Sequence, residues 1–103
     1  MELKEIQRIK LNFDRERNWD RFPASNVLAH LVEELGEICR YINFEECYKK
    51  EEIGSNPNIS KEELKREFAH VFMLFLQLAN HYGIDLEKAF EEELEIMRKR
   101  FKK

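Results

Sequence analysis

The chain has 103 residues, of which 43% are hydrophobic and 38% charged, with three glycines, two prolines and a formal net charge of −3. This composition is typical of a helix-rich globular protein and excludes a disordered or fibrous chain. The length predicts a single domain, residues 1–103, whose core is small enough that a partner subunit is expected.

Two classes of location and one class of partner are not expected. The most apolar stretch, residues 71–78, is too short to cross a bilayer, and the amino terminus lacks an apolar secretory core. Cys39 and Cys47 have neither CxxC nor zinc-site spacing, so we expect a reducing, cytoplasmic setting. The basic carboxyl terminus, residues 98–103, could bind nucleic acid, but cations in a last helical turn are explained by the helix dipole, so no nucleic-acid partner is expected.

The amino-terminal half predicts two helices. Residues 2–16 carry a short amphipathic pattern, with a stripe formed by Leu3, Ile6, Ile9 or Lys10, and Phe13. Residues 18–25 interrupt it, and Pro23 favours a helix start. The second helix, residues 25–48, has an inner stripe spaced by three and four residues: Leu28, Leu31, Leu35, Ile38 and Ile42.

A third helix follows the clearest loop of the chain, residues 54–58. Ser60 and Glu63 have the spacing of a capping box, which predicts a helix start near Lys61. Residues 71–76 are apolar on every side of this helix, so we expect it to be buried all round. In so short a chain, that expectation predicts a subunit interface.

The fourth helix begins after a glycine turn. Gly83 ends the third helix and Asp85 caps the next one, whose inner stripe is formed by Leu86, Phe90, Leu94, Met97 and Phe101. No segment has the alternating pattern of a strand. The predicted fold class is therefore all-α, a four-helix bundle completed by dimerisation or tetramerisation.

Charged residues border the predicted core at two matching places. Glu34 and Glu37 share one face of the second helix, and Glu67 and His70 repeat the spacing on the third. Ionisable groups in such positions are costly unless something neutralises them. A hard divalent cation such as Mg²⁺ or Mn²⁺ would do so, since carboxylate oxygens are its preferred ligands.

Simpler interpretations of the same residues stay open. Arg40 and Arg66 lie on the same helices and could form ordinary salt bridges with these carboxylates. His30 lies one turn before Glu34 and is either a group that supports the site or an ordinary surface residue. Tyr41, one turn after Glu37, has the same two interpretations.

Three segments together resemble a known family. Residues 17–20 (RNWD), 31–38 (LVEELGEI) and 67–70 (EFAH) resemble the MazG-like all-α nucleoside triphosphate pyrophosphohydrolases, whose hallmark is EExxE on one helix and ExxD on the next. The likeness covers roughly residues 15–101 and is greatest to the small single-domain members, including the dCTP pyrophosphatase type. It implies Mg²⁺-dependent cleavage of a nucleoside triphosphate to a monophosphate and pyrophosphate.

The resemblance also implies roles for individual residues. Glu33 or Glu34 would orient or deprotonate the attacking water. Trp19 would stack on the base or anchor the first loop, with Asp20 beside it. The metal ligands would be Glu34, Glu37, Glu67 and His70, and the substrate-binding residues Trp19, Asp20, Arg98 and Lys99.

Three positions depart from the family pattern. His70 stands where the family has Asp, which adds a nitrogen ligand and could move the metal preference from Mg²⁺ toward Mn²⁺, Co²⁺ or Zn²⁺. Glu93 and Met97 stand where relatives commonly have Lys and Asn, and Glu93 would repel a phosphate. Arg98 or Lys99 would have to compensate.

Two further hypotheses come from other classes of protein. The departures could mark a catalytically degenerate oligomer or a nucleotide-binding protein. Alternatively, Glu67 and His70 form an ExxH pair, which with a Glu from another helix is half of a carboxylate and histidine di-iron site that a dimer would complete. The fully apolar third helix predicts a homodimer or homotetramer, with sites near the subunit interfaces.

Overall fold

The computed structural model describes residues 1–48 and 60–103, and all regular structure in these two ranges is helical. The described elements are α1 (Leu3–Glu16), a 3-10 turn (Trp19–Arg21), α2 (Ala24–Glu45), α3 (Lys61–His81) and α4 (Leu86–Arg100). The predicted all-α class with four α-helices is therefore confirmed for the described part of the chain. The loop predicted at residues 54–58 lies outside it.

Most helix boundaries follow the local signals in the sequence. Pro23 is the residue that precedes α2, where its missing amide hydrogen costs nothing. The Ser60 hydroxyl accepts a hydrogen bond from the Glu63 amide at 3.2 Å, and the Asp85 carboxylate accepts one from the Lys88 amide at 3.2 Å. Gly83 adopts φ +64°, a left-handed conformation that glycine takes without steric cost.

The chain divides into two compact units. The first comprises residues 1–22 and 76–103, and the second comprises residues 23–75. The helix α3 therefore contributes its amino-terminal part to the second unit and its last residues to the first.

The first unit contains buried polar side chains. Gln7 and Asp14 of α1 are buried, as is Gln77 of α3. Ile9 and Phe13, which were predicted on the inner face of α1, are instead 49% and 42% exposed. The prediction was wrong because it followed hydrophobicity alone, whereas the inward face of α1 is centred on polar residues that find hydrogen-bond or ionic partners.

Gln7 connects α1 to the turn between α3 and α4. Its side-chain amide donates to Asn80 Oδ1 at 2.9 Å and to the Ile84 carbonyl at 2.5 Å. Its side-chain oxygen Oε1 accepts a hydrogen bond from the Leu86 backbone amide at 3.1 Å. Asn80 in turn donates to the Gln7 backbone carbonyl at 3.1 Å. This network satisfies backbone groups at the start of α4 that its own helix leaves without partners.

The inward face of α2 agrees with the predicted stripe only in part: Ile38 is buried as predicted and Leu31 is half-buried. Val27 and Ile38 are buried, while the predicted core residues Leu28, Leu35 and Ile42 are each more than 40% exposed. Helical spacing puts Glu34 on the same face as Val27 and Ile38. The prediction was wrong for these three residues because α2 has two apolar stripes, and the inward one includes a carboxylate.

The apolar helices are less covered than predicted. Phe72, Met73 and Phe75 of α3 are 44%, 50% and 48% exposed, so the single chain does not bury this helix on every side, and its expected burial in a subunit interface stays a prediction. Phe90, Met97 and Phe101 of α4 are also exposed, while Leu86 and Leu94 are half-buried. A chain of 103 residues has too few segments to surround all these side chains.

Within the described residues, no helix has both the length and the apolar character needed to cross a membrane.

Candidate functional site

The second unit brings together two carboxylates and one imidazole. Glu34 of α2 and Glu67 and His70 of α3 each place a ligand atom so that all three atoms lie within 4.8 Å of one another. His70 Nδ1 is 4.0 Å from Glu34 Oε2. Glu67 and His70 are three residues apart on α3 and so project from one face of that helix toward Glu34. We call Glu34, Glu67 and His70 the acidic cluster.

Glu34 is the most heavily engaged member of the acidic cluster. Its Oε1 lies 3.2 Å from His30 Nε2, one turn earlier on α2. A hydrogen bond shared with Glu67 holds the pKa of Glu34 below its usual value, and the His30 and His70 imidazoles lower that pKa further. Burial opposes this shift. Glu34 is therefore the carboxylate of the pair that stays ionised.

Glu67 is shifted in the opposite direction. The hydrogen bond to Glu34, burial and the charges of Glu34 and Glu37 raise the pKa of Glu67 from 4.5 to about 7. Its Oε2 atom is shielded from solvent and has no hydrogen-bond partner among the described residues. Two carboxylates this close carry a proton between them near neutral pH, and one oxygen is left without a counter-charge.

These observations fit a divalent cation. An unpaired, shielded carboxylate oxygen is costly, and a cation at the acidic cluster would replace the shared proton and occupy that oxygen. Two carboxylates and one imidazole suit Mn²⁺, Fe²⁺, Co²⁺ or Zn²⁺ as well as Mg²⁺, because the nitrogen is a softer ligand than oxygen. Glu34, Glu67 and His70 are the residues that would hold it.

The two other predicted residues of α2 lie outside the acidic cluster. Glu37 is exposed, but its charge contributes to the raised pKa of Glu67, so it acts electrostatically on the site. Glu33 is exposed and has no atom in the group of three ligands. Of the sequence-predicted metal ligands, the structure thus groups Glu34, Glu67 and His70.

The four predicted substrate-binding residues belong to the first unit. Trp19 and Asp20 lie in the 3-10 turn, and both are exposed. Arg98 and Lys99 are exposed in the last turn of α4, where Lys99 Nζ lies 3.8 Å from Glu95 Oε1. Their roles remain predictions.

His30 is the site residue that the sequence indicates least clearly. The sequence places it one turn before Glu34, a spacing that permits contact but is equally common for surface histidines. The hydrogen bond between His30 and Glu34 assigns it to the site. Only the i,i+4 spacing to a residue of the EExxE motif could have indicated this.

Residues 22–103 match the model of the MazG nucleotide pyrophosphohydrolase domain. Because this match spans most of the chain, and because the described fold is all-α with a carboxylate cluster on α2 and α3, the chain belongs to the MazG nucleotide pyrophosphohydrolase domain family.

Individual relatives are similar at modest identity. The chain is 28% identical over 100 residues to human dCTP pyrophosphatase 1 and 26% identical over 100 residues to the rat protein of the same name. These matches include 96% of this chain but only 58% of the relatives' length. The uncharacterised protein YvdC of Bacillus subtilis strain 168 is 28% identical over 103 residues, a match that covers 98% of this chain and 97% of YvdC.

Proposed function

We propose that this protein is a divalent-metal-dependent nucleotide pyrophosphohydrolase that cleaves a nucleoside triphosphate to the monophosphate and pyrophosphate. The observation that carries the proposal is the acidic cluster with its shielded, unpaired Glu67 oxygen, in a chain of the MazG family. We further propose that residues 1–103 act as one functional domain and that the protein works in the cytoplasm, an environment compatible with its two exposed free cysteines.

The proposed metal ligands are Glu34, Glu67 and His70, with Glu37 contributing a nearby negative charge. When bound, a divalent ion neutralises the clustered phosphate charge and makes a water molecule more acidic. His30 holds one oxygen of Glu34, which leaves the other oxygen of that carboxylate directed toward His70. This arrangement fixes the orientation of Glu34 before any substrate binds.

The proposed general base is Glu33 or Glu34. Glu34 is the stronger candidate for orienting a water, because its pKa is lowered and it remains ionised at neutral pH. Glu33 adjoins it and is exposed, so it would accept the proton from a water only with substrate in place.

The proposed substrate contacts lie in the first unit. Trp19 offers an exposed indole on which a nucleobase can stack, and Asp20 follows it in the same turn. Arg98 and Lys99 would supply positive charge for the phosphates and offset Glu93. The relatives named dCTP pyrophosphatase 1 make dCTP the first substrate to test.

The active form is proposed to be a homodimer or homotetramer. The second unit exposes large apolar side chains on two helices, and a second copy of the chain would cover them. These are Leu28, Val32 and Leu35 of α2 and Phe68, Phe72 and Phe75 of α3. A partner seated on α2 or α3 would lie on the helices that carry the acidic cluster.

One alternative is supported by a specific contact. The imidazole of His70 belongs to the ligand group, and a Glu and His pair on one helix facing a second Glu is also the half-site of a di-iron protein. An iron-dependent near-ultraviolet absorption without pyrophosphate release would favour that function. A protein that binds nucleotide without either property would be the catalytically degenerate form.

The test is pyrophosphate release from a panel that begins with dCTP and includes the other common and modified nucleoside triphosphates, each with Mg²⁺, Mn²⁺ or Co²⁺. Glu67→Gln should lose turnover, Glu37→Gln, which removes only a nearby charge, should reduce it less, and Glu62→Gln, on an exposed position of α3, serves as the matched control. Turnover that survives Glu67→Gln unchanged would contradict the proposed role of the acidic cluster. If the unaltered protein released no pyrophosphate from any nucleotide of the panel, the proposed function would be contradicted.

A further inference from the structure

Trp19 has a partly exposed indole, and contacts to both its ring and its backbone restrain it. It is 41% exposed, and it makes an edge-on contact with the Phe13 ring, with the centroids 5.7 Å apart. The Trp19 backbone carbonyl accepts a hydrogen bond from the buried side chain of Gln77 at 3.1 Å. The guanidinium of Arg17 lies 3.6 Å from the Phe13 ring centroid and stabilises that ring.

An ion pair lies against this aromatic pair. Lys10 Nζ is 5.6 Å from the Trp19 ring centroid and 5.3 Å from that of Phe13. The same ammonium is 2.5 Å from Asp14 Oδ1, one turn further along α1. The side chains of Lys10 and Asp14 are only 11% and 1% exposed. The position of the cation beside the indole is therefore set by a carboxylate that cannot move into solvent.

This ion pair is less favourable in free energy than apolar side chains that would fill the same space. Two nearly buried charges lose hydration, and apolar side chains of similar volume often give equal or greater stability. Asp14 Oδ2 is also shielded and has no hydrogen-bond partner among the described residues. Stability alone therefore does not account for the pair, whereas fixing a cation beside the indole does.

We propose that Lys10 and Asp14 are positioning residues that hold the Trp19 indole in the orientation in which it receives the base of the nucleotide. This inference rests on the proposed function, and it assigns the ion pair to base binding rather than to bond cleavage. The ligand chemistry is that of a purine or pyrimidine ring, because stacking on an indole requires only a flat aromatic face. An indole fixed in advance loses less conformational freedom when the base binds.

The decisive variant removes both charges together. Lys10→Met alone would leave Asp14 buried without a partner and could unfold the chain, so the test uses the double variant Lys10→Met with Asp14→Leu. Its melting temperature should equal or exceed that of the unaltered protein. Lys4→Met, an exposed position on the same helix, is the control.

Two readouts distinguish positioning from a structural role. Trp19 is the single tryptophan of the chain, so acrylamide quenching and anisotropy of its fluorescence report on this side chain alone. In the double variant, acrylamide quenching should increase and anisotropy should fall. KM for dCTP should rise about 5- to 30-fold with kcat nearly unchanged, the range expected for losing a cation–π contact of a partly desolvated site.

A Trp19→Leu background completes the test. If Lys10 and Asp14 act through the indole, their replacement in that background should leave KM unchanged, because the group that they position is already absent. A stable double variant with unchanged quenching and unchanged KM would overturn the inference, as would an equal rise in KM in both backgrounds.

The inference can fail separately from the proposed function. Absence of pyrophosphate release by the unaltered protein would contradict the function. Binding of dCMP, followed by quenching of Trp19, would then still measure positioning, and equal dissociation constants for the unaltered protein and the double variant, or no binding to either, would overturn the inference.

Discussion

Glu67 is the residue whose protonation depends most on its neighbours. Its pKa is raised to about 7 by the hydrogen bond with Glu34, by burial and by the charges of Glu34 and Glu37. Glu34 has a lowered pKa, so the two carboxylates share one proton below neutral pH and repel each other above it. A bound cation and a bound proton are therefore alternatives at this position.

The stability of the metal-free protein should fall between about pH 4.5 and pH 7. The folded state binds the Glu67 proton more tightly than the unfolded state does, so its contribution is complete below the unfolded pKa and is lost as pH rises to the folded value of about 7. The lowered pKa of Glu34 stabilises the folded state above its ordinary pKa of 4.5, and this contribution is lost as pH falls below that value.

Urea denaturation at pH 5 and pH 8 in the presence of a chelator measures this effect. Glu67→Gln should be less dependent on pH than the unaltered protein and should gain stability relative to it at pH 8. The comparison of the two proteins isolates Glu67, because they differ only at that residue. The same pH dependence in both proteins would show that Glu67 carries no shifted proton.

His70 should set the choice of metal. Replacing it with Asp exchanges an imidazole nitrogen for a carboxylate oxygen, which favours Mg²⁺ over Mn²⁺ and Co²⁺. The ratio of the rates of pyrophosphate release with Mg²⁺ and with Mn²⁺ should rise several-fold in His70→Asp. His81→Asp, at the exposed end of α3, should keep the original ratio. A ratio that is unchanged in both variants would remove His70 from the ligand set.

Among the helices, α1 depends on polar contacts more than its sequence indicates. Gln7 supplies partners to Leu86, Ile84 and Asn80 through one side chain. Replacing a single polar partner leaves the others buried without hydrogen bonds, and that penalty exceeds the small net gain from forming the bonds.

Gln7→Leu should therefore destabilise the protein by about 2–4 kcal/mol, although leucine is the more hydrophobic residue. Arg8→Leu, the neighbouring exposed position, should change stability by less than about 0.5 kcal/mol. Chemical denaturation of both variants measures the difference. If Gln7→Leu were as stable as the unaltered protein, the network would not hold the start of α4.

The sequence predicts element types well and their inward faces poorly. Caps at Ser60 and Asp85 and the turn at Gly83 depend on local chemistry, so the boundaries of α3 and α4 could be predicted. Which stripe of α2 faces inward could not, because Leu28 and Val27 are equally apolar and only the contacts of the folded chain separate them. On α1, hydrogen-bond partners distant in sequence make Gln7 an inward residue.

Large apolar side chains of α2 and α3 are exposed in the single chain, so we expect a second surface to cover them. The acidic cluster could be predicted because the spacing of Glu34 and Glu37 repeats in Glu67 and His70, although Glu37 lies outside the group. Contacts made by Trp19 could not, because they depend on Gln77, which is distant along the chain, and on the side-chain position of Lys10 on the folded α1.

A self-associated protein should elute at a multiple of 12.6 kDa in size-exclusion chromatography with light scattering. Phe72→Lys should reduce that mass, because burying a lysine against an apolar partner is unfavourable. Lys65→Asp, an exposed position on the same helix, should leave it unchanged. A monomeric mass for the unaltered protein would contradict the proposed oligomer.

We propose above all that the acidic cluster is a divalent-cation site. Binding of Mn²⁺, followed by loss of the free-ion signal in electron paramagnetic resonance, tests it without substrate or turnover. The unaltered protein and Glu62→Gln should bind the ion equally, while Glu67→Gln should bind about tenfold more weakly or worse, since it removes the shielded carboxylate. Equal Mn²⁺ binding by Glu67→Gln and the unaltered protein would show that the acidic cluster is not the cation site.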